Sequence, residues 1–156
     1  MALQIRPMTD DDRLPVAQIY ADVAAERNAI GAEPPVDIAA RAANWKLEGA
    51  FVAVLDGRTV GSLSVQAVHY HGYGEIGMHV AGDARGRGVG SALMETAIAW
   101  AREQGLHKLS LSVWPHNAAA IALYEKYGFV QEGRRVKQYR RKSGELWDTI
   151  DMGLLL

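Results

Sequence analysis

Arg85-Gly86-Arg87-Gly88-Val89-Gly90-Ser91 stands between an apolar run, Glu75–Val80, and an amphipathic run that starts at Val89. Glycine leaves its backbone N–H groups unshielded and permits turns that other residues resist. The first turn of a helix carries unpaired N–H donors at the positive end of its dipole. A glycine loop that opens a helix therefore forms a receptor for a phosphate or pyrophosphate. Arg85 and Arg87 can add charge-assisted hydrogen bonds to the same anion. The bland alternative is a glycine-rich turn with two solvated arginines. The placement directly after a strand weighs against it. No Gly-Lys-Ser or Gly-Lys-Thr follows, and the Gly-x-Gly-x-x-Gly spacing is missing, so neither a Walker A loop nor a dinucleotide fingerprint is present.

Working outward, Val89, Leu93, Met94, Ala97, Ile98, Trp100 and Ala101 form one stripe of a helix from about Val89 to Gln104, which Gly105 stops. Lys108–Val113 alternates as a strand. Asn117 can cap a helix over Ala118–Tyr127, which Gly128 ends. Phe129–Tyr139 and Leu146–Leu155 read as closing strands around Ser143–Gly144. Toward the N-terminus, Glu75–Val80 reads as a central strand and His69–Gly74 as a loop. Ala50–Leu55 and Val60–Val68 flank the turn signal Asp56–Gly57. A helix is expected over Val36–Leu47, and Asn28–Pro35 is a loop rich in breakers. The first helix shows Leu14, Ala17, Ile19, Tyr20, Val23 and Ala24 on one stripe and takes Thr9 or Asp10 as its cap. Leu3–Arg6 is a short strand. Helices alternating with strands in the middle, flanked by hairpins, give an α+β, three-layer α/β/α fold with a mixed central sheet. The expected unit is one domain over residues 1–156.

Composition narrows the function classes. Seventeen basic against 18 acidic side chains leave a net charge of -1, so no global field draws in nucleic acid or an anionic membrane. Without cysteine there is no disulfide, thiolate metal site or cysteine nucleophile, and a cytoplasmic location is expected. Met1–Asp12 lacks a signal-peptide pattern, and no apolar run approaches the roughly 20 residues that cross a bilayer. His69 and His71 lack a third ligand, so no metal is expected.

A second segment, Asn117-Ala-Ala-Ala-Ile-Ala-Leu-Tyr124-Glu-Lys-Tyr-Gly128-Phe129, lies downstream of the glycine loop. With Arg85, Gly88 and Gly90 it resembles the two signature motifs of the GCN5-related N-acetyltransferase family. One is Arg or Gln, two residues, Gly, one residue, then Gly or Ala. The other is Asn, Tyr seven residues on, then Gly-Phe. The resemblance is best over Glu75–Glu132. It implies a mostly antiparallel sheet that splays between Glu75–Val80 and Lys108–Val113, with acetyl-CoA as cosubstrate in the gap. It implies that the Gly86, Arg87, Gly88, Val89, Gly90 and Ser91 amides hold the pyrophosphate beside Arg85. Met78, His79 and Val80 would pair with the pantetheine arm, and Asn117 and Tyr124 would contact the cofactor.

Acetyl transfer to an amine needs a base, because an alkylammonium has no lone pair to attack with. It needs a donor for the developing oxyanion and a proton for the departing thiolate. The resemblance makes Tyr124 the acid and a backbone amide near His79 or Val80 the oxyanion donor. Read as a residue alone, Tyr124 is better taken as a core aromatic beside Ile121 and Tyr127, and only the resemblance favours the catalytic role. Glu75 is the candidate base, on the expectation that partial burial raises its pKa, and an exposed strand-entry residue is the even alternative. His79, two alternations along the same strand face, is the second choice.

The basic residues Arg134, Arg135, Lys137, Arg140, Arg141 and Lys142 read as a solvated strand face and turn. Trp45, Trp100, Trp114 and Trp147 share no local stripe and read as core or rim. Glu26, Arg27 and Asn28 fall where the family shapes its acceptor pocket. The tail around Gly144-Glu145-Leu146-Trp147-Asp148 resembles small-molecule amine and amino-acid acetyltransferases. The expected reaction is direct attack of a small primary amine on acetyl-CoA. Acetylation of a protein N-terminus or lysine, and a non-catalytic acyl-CoA-binding module, remain open. The long C-terminal hairpin suits a homodimer.

Overall fold

The computed structural model describes residues 2–156; Met1, at the head of the expected domain, lies outside the described residues. Seven strands form one sheet. In chain order they are β1 (Leu3–Pro7), β2 (Ala50–Leu55), β3 (Arg58–Val68), β4 (Tyr73–Val80), β5 (Lys108–Val113), β6 (Val130–Arg140) and β7 (Leu146–Leu155). Their spatial order is β1-β2-β3-β4-β5-β7-β6. Every neighbouring pair is antiparallel except β4 with β5. The helices are α1 (Arg13–Ala24), α2 (Ile38–Ala43), α3 (Val89–Glu103) and α4 (Ala118–Lys126).

Two cores back the sheet, which makes the three layers. On one face α3 sends Val89, Leu93, Met94, Ala97 and Ala101 against Leu63, Val65, Leu109 and Leu111, and Tyr124 and Phe129 complete that cluster. On the other face Val16 of α1 and Trp45 meet Met8, Ala50 and Val52. Fully burying one such aliphatic side chain is worth about 1.5–3 kcal/mol, so α3 is the best-anchored helix.

Local chemistry explains where elements start and stop. Asp56 and Gly57 both take positive φ, 50° and 81°, so the hairpin turns in two residues and β3 begins at Arg58 rather than Val60. The second helix is shorter than Val36–Leu47. Asp37 caps it by accepting from Ala40 N at 3.0 Å, and the Asn44 side chain ends it by donating to the Ala40 carbonyl at 2.8 Å. That early stop releases Trp45 into the core. Leu14 is exposed, and Val16 joins Ala17, Ile19, Val23 and Ala24 on the buried face of α1.

The β4–β5 pair positions everything that follows. Its parallel register runs Tyr73↔Lys108, Gly74↔Leu109 and Glu75↔Ser110, then stops. From Ile76 onward β4 stays paired with β3, while Leu111–Val113 stay paired with β7. The two strands part at Glu75 and leave a wedge-shaped gap in the middle of the sheet.

Candidate active site

The gap opens into a cleft of about 1230 Å³. One wall is the free edge of β4 together with the head of α3; the other is β5, the loop after it, and α4. At the head of α3 the sequence folds as its glycines dictate. Gly86 and Gly88 take φ of 74° and 81°, and Gly88 is the left-handed residue that starts the helix. An L side chain there costs about 1–2 kcal/mol. At Gly90 a Cβ would lie 3.0 Å from the Leu123 side chain of α4, a tight contact that Leu123 would have to ease by a small shift. Gly86, Gly88, Val89, Gly90 and Ser91 all line the cleft, so unpaired helix-start N–H groups face it and can receive an anion.

The two arginines of this loop behave differently. Arg85 forks onto Glu26 at 2.6 and 2.7 Å and donates to the Val80 carbonyl at 3.1 Å. It thereby ties the loop to the segment after α1. Arg87 is exposed and makes no ion pair among the described residues. Asn117 caps α4, accepting from Ala120 N at 3.3 Å, and also lines the cleft. Met78 and Val80 flank the unpaired edge of β4.

Tyr124 lies on α4 with 8% of its surface exposed, packed at 5.9 Å from Phe129. Burial pushes its hydroxyl up to about 12, so it keeps its proton at any physiological pH. It lines the cleft across from β4. Its neighbour Tyr127 instead donates its one hydroxyl proton to Glu95 at 2.8 Å, with the Ser91 carbonyl 3.2 Å away as the alternative acceptor, bracing α4 against α3.

Glu75 sits at the apex where the strands part. It is exposed, which corrects the expectation of a partly buried carboxylate: the parting strands open it to the cleft. Among the described residues its carboxylate has no hydrogen-bond or ion-pair partner. His79 corrects a second expectation. Its ring is wedged edge-on against Tyr20 and Trp45, each at 5.6 Å. Its Nε2 is buried without a partner, and burial pushes its pKa down to about 4, with the Arg41 charge acting in the same direction. His79 borders the cleft, but burial lowers its basicity and Tyr20 and Trp45 cover its ring, so it is a poorer base than the exposed Glu75. Among the described residues no group of three His, Cys, Asp or Glu comes together to hold a metal.

The basic cluster is only partly a solvated face. Arg141 is 5% exposed, with its guanidinium 5.0 Å from Trp114 and 4.5 Å from Trp147. It donates to the Gly31 carbonyl at 2.9 Å and to the Arg27 carbonyl at 3.0 Å, with Glu33 3.7 Å away. Trp114 and Trp147 thus meet around one arginine, which fastens the β6–β7 turn to the loop after α1. Asn28, Ala29, Ile30 and Gly31 of that loop wall the cleft. Spacing gave no hint of this pairing, because the partners are 110 residues apart. Arg41 and Trp45 also line the cleft, and their separation of four on the sequence was a usable signal that they meet.

Residues 16–129 match the model of the Acetyltransferase (GNAT) family. The chain belongs to this family. It is an acyltransferase of the GNAT N-acetyltransferase type, built around the splayed gap. Over 166 aligned residues the GNAT chain is 30% identical to an L-methionine sulfoximine/L-methionine sulfone acetyltransferase of Pseudomonas aeruginosa, with 100% of this chain and 96% of that protein covered. A crystal structure of a ribosomal-protein-alanine N-acetyltransferase from Brucella melitensis is 31% identical, with a TM-score of 0.87 over 98% of this chain and 99% of that one. A phosphinothricin acetyltransferase from Sinorhizobium meliloti, solved in complex with acetyl-CoA, shares the fold. Its TM-score is 0.89 at 22% identity, over 100% of this chain and 89% of that one.

Proposed function

We propose that this enzyme transfers an acetyl group from acetyl-CoA to the primary amine of a small, amino-acid-like molecule, by direct attack with both substrates bound. The observation that carries the reading is the parting of β4 and β5 at Glu75, which puts an exposed carboxylate, a protonated tyrosine and a helix head on one cleft. The full-length likeness to a methionine sulfoximine and methionine sulfone acetyltransferase supports the acceptor class.

The residues present fit acetyl-CoA. Gly86–Ser91 offer unshielded N–H groups for the diphosphate, and the unpaired edge of β4 at Met78–Val80 offers main-chain groups to an extended amide arm. Acetyl-CoA supplies a thioester whose carbonyl carbon accepts the amine and whose sulfur departs. Glu75 takes the proton that the ammonium must lose, directly or through water. Backbone N–H groups near His79 and Val80 can face the oxygen on which charge develops. Tyr124 keeps its proton because it is buried, so it meets the departing sulfur as a hydrogen-bond donor. With a pKa near 12 it is a poor source of a permanently transferred proton, and the proton removed from the amine completes the balance. No acyl-enzyme is needed, and the chain has no cysteine to form one.

A protein N-terminus is the second reading, favoured by the likeness to a ribosomal-protein-alanine N-acetyltransferase. The test is thiol release from acetyl-CoA with a panel of L-amino acids, polyamines and alanine-ended peptides. Wild type acetylates one class of amine. Glu75→Gln lowers kcat steeply, and Tyr124→Phe lowers it less. Coenzyme A binding with no turnover on any amine defeats the reading and favours a binding module.

A further inference from the structure

The charged side chains on the acceptor wall of the cleft sort by what holds them. Glu26 is held by Arg85, and Glu48 lies 3.3 Å from His69. Three remain without a hydrogen bond or ion pair among the described residues: Glu75, Lys46 and Arg41. Of these, only Arg41 is held in place. Its guanidinium carbon lies 4.4 Å from the ring centroid of Tyr20 and 4.4 Å from that of Trp45. The two rings meet edge-to-face at 5.8 Å, and both rest on the buried His79 ring.

This clamp has a chemical meaning. Aromatic rings attract a guanidinium through its charge and plane, and leave its N–H donors at the rim to grip a planar carboxylate with two parallel bonds. An arginine already immobilised loses little further freedom when a ligand arrives. Lys46 is a flexible point charge with no such support. The cleft therefore presents one fixed cationic fork and one unpaired carboxylate, the pattern that complements a zwitterion. His79 sharpens the arrangement, since an uncharged ring beneath Arg41 adds no competing charge.

We propose that Arg41, clamped by Tyr20 and Trp45, binds the carboxylate of the acceptor, so that the enzyme selects α-amino acids over amines that lack one. The inference rests on the amine-acetylating reading above and adds the residue that sets its specificity.

The experiment compares L-methionine sulfone with its carboxamide, which differ only in the group Arg41 would grip. For wild type, kcat/KM favours the acid by about 10- to 100-fold, the range expected for one bidentate charge-assisted contact. Arg41→Gln collapses that ratio to about one, mainly through KM. Arg41→Lys, which keeps the charge but not the fork, retains part of it. Lys46→Gln leaves the ratio as in wild type. Melting temperatures check that each variant folds. Equal use of acid and amide by wild type overturns the proposal. So does a ratio that survives in folded Arg41→Gln, or one that collapses in Lys46→Gln instead. Calorimetric binding of the two compounds separates this inference from the one beneath it. If no amine is acetylated but the acid binds better than the amide, and Arg41→Gln removes the difference, the anchor stands and the transfer reading fails. Equal binding overturns the anchor.

Discussion

The two sides of the cleft are built in different ways. The side proposed to receive the acyl donor is mostly backbone: the glycine-opened head of α3 and the unpaired edge of β4, contributed by residues 76–91. The proposed acceptor side is mostly side chains drawn from distant parts of the chain. Arg41 is set on Tyr20 and Trp45, and the loop after α1 is fastened by Arg141 from the far hairpin. A backbone site tolerates little change in its glycines but does not choose among acceptors. A side-chain site can be altered one residue at a time. Substitutions on the donor side should therefore weaken all reactions alike, while those on the acceptor side should reorder the acceptors.

Glu75, at the junction of the two sides, should show the largest effect. Glu75→Gln is expected to lower kcat/KM by about 10²- to 10⁴-fold for every acceptor, the usual contribution of a positioned base. A steady-state comparison across several amines checks it, and a loss confined to one amine would move Glu75 to the acceptor side.

The same contrast explains what could be read from the sequence. Arg85–Ser91 and Asn117–Phe129 are contiguous, and glycine spacing reports backbone geometry directly, so the turn that opens α3 and the order of elements were legible, while the splay came with the family resemblance. Strand alternation also put Glu75 and His79 on one face correctly. It could not tell that β5 would leave Glu75 open to the cleft while Tyr20 and Trp45 enclosed His79. Arg141 looked like one of six surface cations, because Trp114 and Trp147 come to it only through the β5–β7 and β6–β7 pairings.

Removing the Arg141 clamp comes next in size. Two hydrogen bonds from a buried cation are lost, so Arg141→Ala should destabilise the protein by about 3 kcal/mol. KM should rise for the amine and stay near wild type for acetyl-CoA. Thermal melts and paired KM measurements test this, and a uniform loss for both substrates would deny the division between the two sides.

Acid offers a way to loosen the acceptor side alone. His79 has an ordinary pKa of 6.5 and a folded value of about 4, so the unfolded chain binds the extra proton between those values. Stability from the neutral ring is fully present above pH 6.5 and is lost as pH falls toward 4, by about 3 kcal/mol in all. In melts recorded across that window, His79→Phe should lose less stability than wild type. An identical pH dependence for the two proteins would place the His79 ring in contact with water.

The donor side should show the smallest change in energy. Gly88→Val strains the left-handed start of α3 by about 1–2 kcal/mol, and where the free protein relaxes to escape that strain, acetyl-CoA binding must restore it and weakens by up to roughly tenfold. Relative rates among acceptors should be unchanged. A shifted acceptor preference would show that the helix head reaches the amine.

On the proposed reading, amides at the head of α3 hold the donor by its diphosphate. Calorimetric titration with acetyl-CoA and with S-acetylpantetheine, which has the thioester arm but no diphosphate, isolates that contact. Strong binding of acetyl-CoA with binding of S-acetylpantetheine weaker by at least about 100-fold is the predicted result. Equal affinity for the two compounds, or no heat with either, would contradict it.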